Sequence, residues 1–376
     1  MKQHNYIIAA KRSAVVPRDT LFADLDIHEL GAPVIQALLA DNNISPARID
    51  ELIVANALGA GGNPARLIGL AAGLAERIGG LSIDRQCCGG LDALLVGSDM
   101  LSAGRASLVI AGGAESYSRR PKRLRKLTTS DMGSEQWQAY ERPPFTPWPT
   151  RDPDMSAAAE EIAQRYDICF EQQNDWAVAS HQKALAAHER LRAEIVSIKG
   201  VCHDSFARRL KPAVCKRSPR IIGSISAANT AVAADGAAFC LLAGADIAEQ
   251  YPKPKLRILS GCTVGADPFL PGLAPVPAIR AALRDAGIKA EDLQCAEIME
   301  AYAVQAIACI QQSGIKPEIC NLGGGALSRG HPIGASGAIL ISRLFTELQH
   351  NGGGIGLAAI AAAGGLGTAL VVEYLE

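Results

Sequence analysis

Residues 276–288 read VPAIRAALRDAGI, and residues 32–44 read APVIQALLADNNI. Set at an offset of 244, Pro33/Pro277, Ile35/Ile279, Ala37/Ala281, Leu39/Leu283, Asp41/Asp285 and Ile44/Ile288 coincide, six of thirteen positions. Both stretches carry apolar residues at helical spacing. Each is followed by a polar turn (SPARIDE, KAEDLQ) and then an apolar strand. Further along, RQCCGGLDALLVGSDMLSAGRASLVIAGG has a partner in SRGHPIGASGAILISRLFTELQHNGGGIGLAAIAAAGG. Each predicts a small-residue turn, a helix, a polar turn, a buried strand and a glycine pair. The same offset of 244 sets Cys87 against His331. One strand–helix unit used twice can bury its apolar helices against its own copy, which predicts a layered α/β core.

Residues 119–245 interrupt the repeat. They open with the basic run Arg119-Arg120-Pro121-Lys122-Arg123-Leu124-Arg125-Lys126, pass through the Pro- and aromatic-rich ERPPFTPWPTRDPD, and continue into a strongly helical piece. We read this as an inserted loop domain covering one face, the ordinary place for a substrate lid. It leaves an N-terminal half over 1–118, completed by core up to about residue 250, and a C-terminal half over 250–376. The basic run reads as a solvated loop, with attraction of a phosphate-bearing ligand or an acidic partner protein as its alternative. Trp137 and Trp148 read as packing for the insert.

Composition bounds the function. The 376 residues are 48% apolar, enough for a large core, and a formal charge of −1 provides no global attraction to nucleic acid or to an anionic membrane. The ten cysteines avoid CxxC spacing and mostly sit in apolar runs, the pattern of reduced thiols in a cytoplasmic protein. Neither HExxH nor zinc-ligand spacing is present, so no metal is expected. The glycine runs match no nucleotide-binding fingerprint. After Met1 the sequence enters a predicted strand, YIIAA, with no apolar leader. Gly352–Val372 is uncharged and long enough for a membrane span, but its glycine runs break it into two buried strands joined by a turn, so no span is expected.

The chemistry-bearing stretch is RQCCGGLDA, residues 85–93. Pattern puts SIDRQCC at the end of a strand and GLDALLVGSDMLSAG on a helix. A cysteine at that joint faces unpaired helical N–H groups and the positive end of the dipole, which both favour thiolate. The dipole contributes roughly 0.3–2 kcal/mol, lowering a pKa near 8.5 without fully ionising the group. From this stretch alone, the reading of both cysteines as small core hydrophobes stays open. NLGGGALSRGHPIGASGA then places His331 in a loop stripped of bulky neighbours, a candidate base or oxyanion donor at the position equivalent to Cys87.

Over essentially its whole length the chain resembles the thiolases, acyl-CoA acyltransferases related to the β-ketoacyl synthases. RQCCGGLDA is similar to their nucleophile motif, NPAR at 63–66 to a segment near their dimer interface, and AGGAESYSRRP to the strand and turn after the nucleophilic helix. ANTAVAADGAA resembles the end of their loop domain, and NLGGGALSRGHPIGASG their histidine signature. The resemblance implies a five-layer αβαβα core of two duplicated halves, an inserted loop domain, a homodimer or higher oligomer, and an acyl-CoA or acyl-carrier substrate with no tightly bound cofactor. It makes Cys87 the acyl-carrying nucleophile, with Cys88 where the family has a small residue, and gives His331 the supporting role. Gly365, Ala231 and Ser336 are expected along the substrate path, Ala231 replacing a serine near the pantetheine.

Two departures matter. The family's second cysteine, which moves a proton at the substrate α-carbon, falls on Ala361, and the residue that positions an oxyanion-hole water falls on Met299. A positioned acid/base is worth ~10²–10⁴-fold and an oxyanion donor ~10²–10³-fold, together roughly 5–9 kcal/mol if taken as additive. Acylation of Cys87 needs neither group directly. Deprotonating condensation and thiolysis need both. Three readings follow: an acyltransferase using an acceptor activated by decarboxylation or beforehand; a condensing enzyme with a substitute base among Glu300, Tyr302 and Cys88; and a non-catalytic subunit supporting a partner in a biosynthetic complex.

Overall fold

The protein is described here from a computed structural model covering residues 4–127, 136–251 and 254–376. The first half contributes strands β1 (Asn5–Ser13), β2 (Glu51–Ala55), β3 (Leu81–Ile83), β4 (Leu108–Glu115) and β5 (Ala234–Gly244), with helices α1 (Ile27–Ala40), α2 (Pro64–Ala71) and α3 (Gly89–Ser102). The insert contributes a hairpin, Arg123–Leu127 with Gln136–Tyr140, and helices α4 (Met155–Arg165) and α5 (Phe170–Ala186). The second half contributes β6 (Lys255–Gly265), α6 (Pro275–Ala286), β7 (Leu293–Ile298), α7 (Ala303–Ser313), α8 (Ile333–His350), β8 (Gly354–Ala362) and β9 (Leu366–Leu375).

The duplication read in the sequence is present in the strand order. The first half runs β2-β4-β5-β1 and the second β7-β8-β9-β6, and in both the first pair is parallel and the next two antiparallel. Among the described residues, the two half-sheets join edge to edge through two residue pairs of β1 and β6, Tyr6 with Arg257 and Ile7 with Leu256, to form one continuous sheet. β4 is buried at every residue and β5 at all but its last. Such near-continuous burial is what strands covered on both faces require. Helices α3 and α8 pack on each other between the half-sheets and share one apolar core with both. α1 and α2 cover the outer face of the first half, and α6 and α7 that of the second. This gives the five αβαβα layers. β5 corrects the expected boundary of the insert at residue 245: its apolar run pairs between β1 and β4, so the inserted segment ends before Ala234.

The centre is crowded because it is made of small residues. A Cβ on Gly90 at the start of α3 would lie 2.7 Å from the Gly334 carbonyl oxygen, and one on Gly337 in α8 would strike the backbone of Leu91. Glycine at both crossings lets the two helix N-termini approach backbone to backbone, which fixes the distance between the residues just ahead of them. Those residues are Cys87 and His331.

Candidate active site

Cys87 lies after β3 and immediately before Cys88, the N-cap of α3. Gln86 beside it has φ 51°, a left-handed conformation costly for a residue with a Cβ, and its N–H donates to the Asp84 carboxylate at 2.9 Å. His331 is held by its own backbone N–H, which donates to the Val232 carbonyl at 2.8 Å. Its Nε2 stands 3.2 Å from Cys87 Sγ, a contact spanning 244 residues of sequence. The other ring nitrogen settles the tautomer. Ser336 donates its hydroxyl to the Pro332 carbonyl at 2.9 Å, so its oxygen accepts from His331 Nδ1–H at 2.6 Å. Nε2 therefore presents its lone pair to the thiol.

Burial pushes the Cys87 thiol up to about 12, with Glu115 and Asp84 adding to the rise, and holds His331 down at about 4, with the Arg329 charge adding to the fall. The resting pair is neutral S–H···N. This reverses the expectation of a dipole-stabilised thiolate: Cys87 sits ahead of the cap, and removal from water outweighs the helix end.

Both residues line a cavity of about 360 Å³ that also takes in Ala231, Tyr302, Gln305, Ile333 and the run Ala361–Ala363. Its far wall is apolar, with Phe145, Met155, Ala158 and Ile162, and Arg123 and Arg142 also border it. Of the basic run, Arg123 alone lines the cavity, and its guanidinium is anchored on the Ala57 and Leu58 carbonyls at 3.4 and 3.2 Å. Arg119 pairs with Asp26, and Arg120 bonds the Tyr117 carbonyl at 2.9 Å. Trp137 and Trp148 remain 55% and 49% exposed and do not line the cavity; within the insert, Arg151 stacks over the Trp148 ring at 5.3 Å.

Several expected site residues lie elsewhere. Cys88 is fully buried with its Sγ 3.5 Å from the Ile360 carbonyl, facing the core. Glu300 is a structural carboxylate: it accepts from Trp176 Nε1, Ser180 Oγ, Asn321 Nδ2 and Leu327 N at 2.8–3.2 Å, which uses its oxygens and leaves none for substrate. Gly365 shapes the β8–β9 turn with φ 78° and accepts from Ala266 N, outside the cavity lining. Ser336 orients the imidazole and does not border the cavity. Met299 is 1% exposed in the central core, and its backbone N–H donates to the Ala359 carbonyl. Tyr302 does border the cavity, its hydroxyl 3.1 Å from Ser156 Oγ, and burial raises its pKa.

One residue escaped the sequence reading. Glu115, at the end of β4, accepts from Asn56 Nδ2 at 2.6 Å, from Ala57 N and Leu58 N at 3.1 and 3.2 Å, and from Gly334 N at 2.9 Å. It ties a loop of the first half to the start of α8 in the second, and so braces the Cys87–His331 contact. A glutamate closing an apolar strand, AGGAE, was the only signal.

Residues 5–246 match the family model of the thiolase N-terminal domain, and residues 252–374 that of the thiolase C-terminal domain. This chain belongs to the thiolase family. The thiolase is 36% identical to a putative acetyl-CoA C-acetyltransferase of Bacillus subtilis, YhfS, over 98% of this chain and 99% of that one. It is 34% identical to an acetyl-CoA acetyltransferase of Shinella zoogloeoides over the full length of both. The acetyl-CoA acetyltransferase of Bacillus anthracis superposes with a TM-score of 0.91 at 29% identity, covering 100% of this chain and 99% of that one. Human mitochondrial 3-ketoacyl-CoA thiolase in complex with CoA superposes equally well, at 26% identity and covering 100% and 98%. Membership makes the thiolase described here an acyl-CoA-dependent acyltransferase.

Proposed function

We propose that this thiolase takes an acyl group from an acyl-CoA onto Cys87 and passes it to a carbon acceptor that arrives already activated or is activated by loss of CO₂. The observation that carries the reading is the 3.2 Å Cys87–His331 contact opening into a largely apolar cavity of about 360 Å³. As Sγ attacks the thioester carbonyl, its proton passes to Nε2. The Nδ1–H bond to Ser336 holds the ring in place while the charge develops. The imidazolium then faces the leaving thiolate of coenzyme A and returns the proton to it, leaving a thioester on Cys87. A neutral pair suits this step, because charge appears only as the bond forms and the protein's dipoles are already set.

The second half-reaction has no proton carrier at Ala361, whose methyl borders the cavity. Glu300 and Cys88 are committed elsewhere. Tyr302 is a phenol whose pKa burial raises, a poor base for a carbon acid. Decarboxylation makes the carbanion without a base, so an extender carrying a β-carboxylate fits the residues present. The reading also includes a homodimer in the cytoplasm. Asn63 caps α2 by accepting from Arg66 N, Pro64 opens the helix, and Leu67 and Leu70 are left 42% and 46% exposed. They lie beside the edge strand β3, where Leu81 is 37% exposed, and a second copy would cover this apolar surface. Among the described residues, no helix is long and apolar enough to cross a membrane.

The test is incubation with radiolabelled acyl-CoA followed by peptide mapping, then comparison of acetyl-CoA with malonyl-CoA as extender. Label on Cys87, absent from Cys87→Ala, and carbon–carbon bond formation with malonyl-CoA alone are expected. Condensation of acetyl-CoA by itself at the malonyl rate sinks the decarboxylative assignment. Absence of label in folded protein sinks the acyl-enzyme.

A further inference from the structure

A second cavity, of about 220 Å³, is lined by Leu185, His188, Leu191, His203, Ala207 and Arg329, among others, and does not share residues with the cavity at Cys87. Arg329 is 4% exposed, and its guanidinium makes one hydrogen bond, from Nη1 to the Gly324 carbonyl at 2.9 Å. Its remaining N–H groups meet no acceptor among the described residues, and it forms no ion pair there. A buried guanidinium in this condition is costly, since desolvation is offset only by partners.

The carboxylates nearby are taken. Asp204, which also lines the cavity, gives both oxygens to Arg12 at 2.7 and 3.0 Å and one to Val15 N as well. Glu194 is shared by Arg12 and Arg343, and Glu347 by Arg343 and Arg190. Among the described residues Glu297 has no hydrogen-bond partner on either oxygen, and burial pushes it up to about 7. Of these arginines, Arg329 lines the cavity. At the same cavity, His188 and His203 place their rings 5.7 Å apart. Ala184, Leu185, Leu191, Ile195 and Ala207 supply an apolar part of the wall, and Gly323 and Ser328 complete it.

We propose that this cavity binds a short-chain carboxylate, its head on the free N–H groups of Arg329 and its tail against the apolar wall. One unmatched guanidinium suits a monoanion in planar two-point contact, and the aliphatic lining suits a few methylenes. A phosphate dianion would find no use for the apolar wall.

Calorimetric titration of the purified full chain with butyrate, and with butyramide as its neutral counterpart, tests the site. Butyrate is expected to bind and butyramide to fail. Arg329→Gln should weaken butyrate at least tenfold, and Ala207→Leu, which takes up space at the cavity wall, should do the same. Cys87→Ser should leave binding unchanged, which separates this site from the acyl cavity and its failure from failure of the acyltransferase reading. Circular dichroism reports whether each variant folds; if Arg329→Gln does not, Ala207→Leu decides. Equal binding of butyramide, retention of butyrate affinity in folded Ala207→Leu, loss of binding in Cys87→Ser, or no heat with butyrate at millimolar concentration would each overturn the proposal.

Discussion

Cys87 Sγ and His331 Nε2 form a neutral pair because both charged forms lose water at this depth, the thiol rising to about 12 and the imidazole falling to about 4. The sign of a pH effect follows. With the thiol raised, protonated sulfur dominates up to about pH 12, and the thiolate fraction grows about tenfold per unit below that. Alkylation of Cys87 by iodoacetamide should therefore climb without a plateau from pH 6 to pH 9. A plateau near neutrality would mean a thiolate–imidazolium pair and contradict the assignment. Ala361 invites the complementary experiment. A thiol there would border the cavity, and Ala361→Cys should raise condensation of acetyl-CoA by about tenfold or more, towards the ~10²–10⁴-fold typical of a positioned acid/base. Initial-rate assays of wild type and variant with acetyl-CoA alone would show it.

The helix pair α3 and α8 converts sequence duplication into a catalytic distance. A methyl at Gly90 would lie 2.7 Å from the Gly334 carbonyl, so Gly90→Ala must part the helix N-termini. Overpacking of this kind costs about 1–3 kcal/mol. The helices carry the two reacting groups at their ends, so acylation of Cys87 should fall by ten- to a hundredfold while chemical denaturation shows only that modest loss. Unchanged acylation in the variant would show that the crossing does not set the contact. Much of this was legible in the sequence. Helical periodicity and small-residue turns are local signals, and they exposed both copies and the Cys87/His331 equivalence. What escaped was non-local. The thiol's protonation depends on how much water the assembled halves exclude, and the bracing role of Glu115 depends on donors from residues 56–58 and 334 that no window around AGGAE contains. The partners of Glu300 are non-local too, since its donors come from α5 and from residues 321 and 327.

Across the whole molecule, the halves share a strand order, a helix between sheets and a helix layer outside, and they divide one site between them. Their sheets meet along β1 and β6 through Tyr6–Arg257 and Ile7–Leu256, and Arg257 pairs on its other side with Glu373 of β9. Tyr6 and Glu373 thus flank one strand, about 10 Å apart at two strand spacings. Both strands run antiparallel to β6, so the bridge leaves after Leu375, level with Lys255, and must run back along the sheet as well as across it to reach Asn5; a flexible glycine–serine bridge of about ten residues spans this distance. A circular permutant that begins at β6, runs through β9, crosses the bridge into β1 and ends after β5 would keep every strand pairing. It should refold with a melting temperature within a few degrees of the parent and take acyl label on Cys87. A permutant that stays unfolded would mean that the covalent link from β5 to β6 does more than tether. If it folds, the order in which the two copies are translated is a matter of ancestry, and the architecture is indifferent to it.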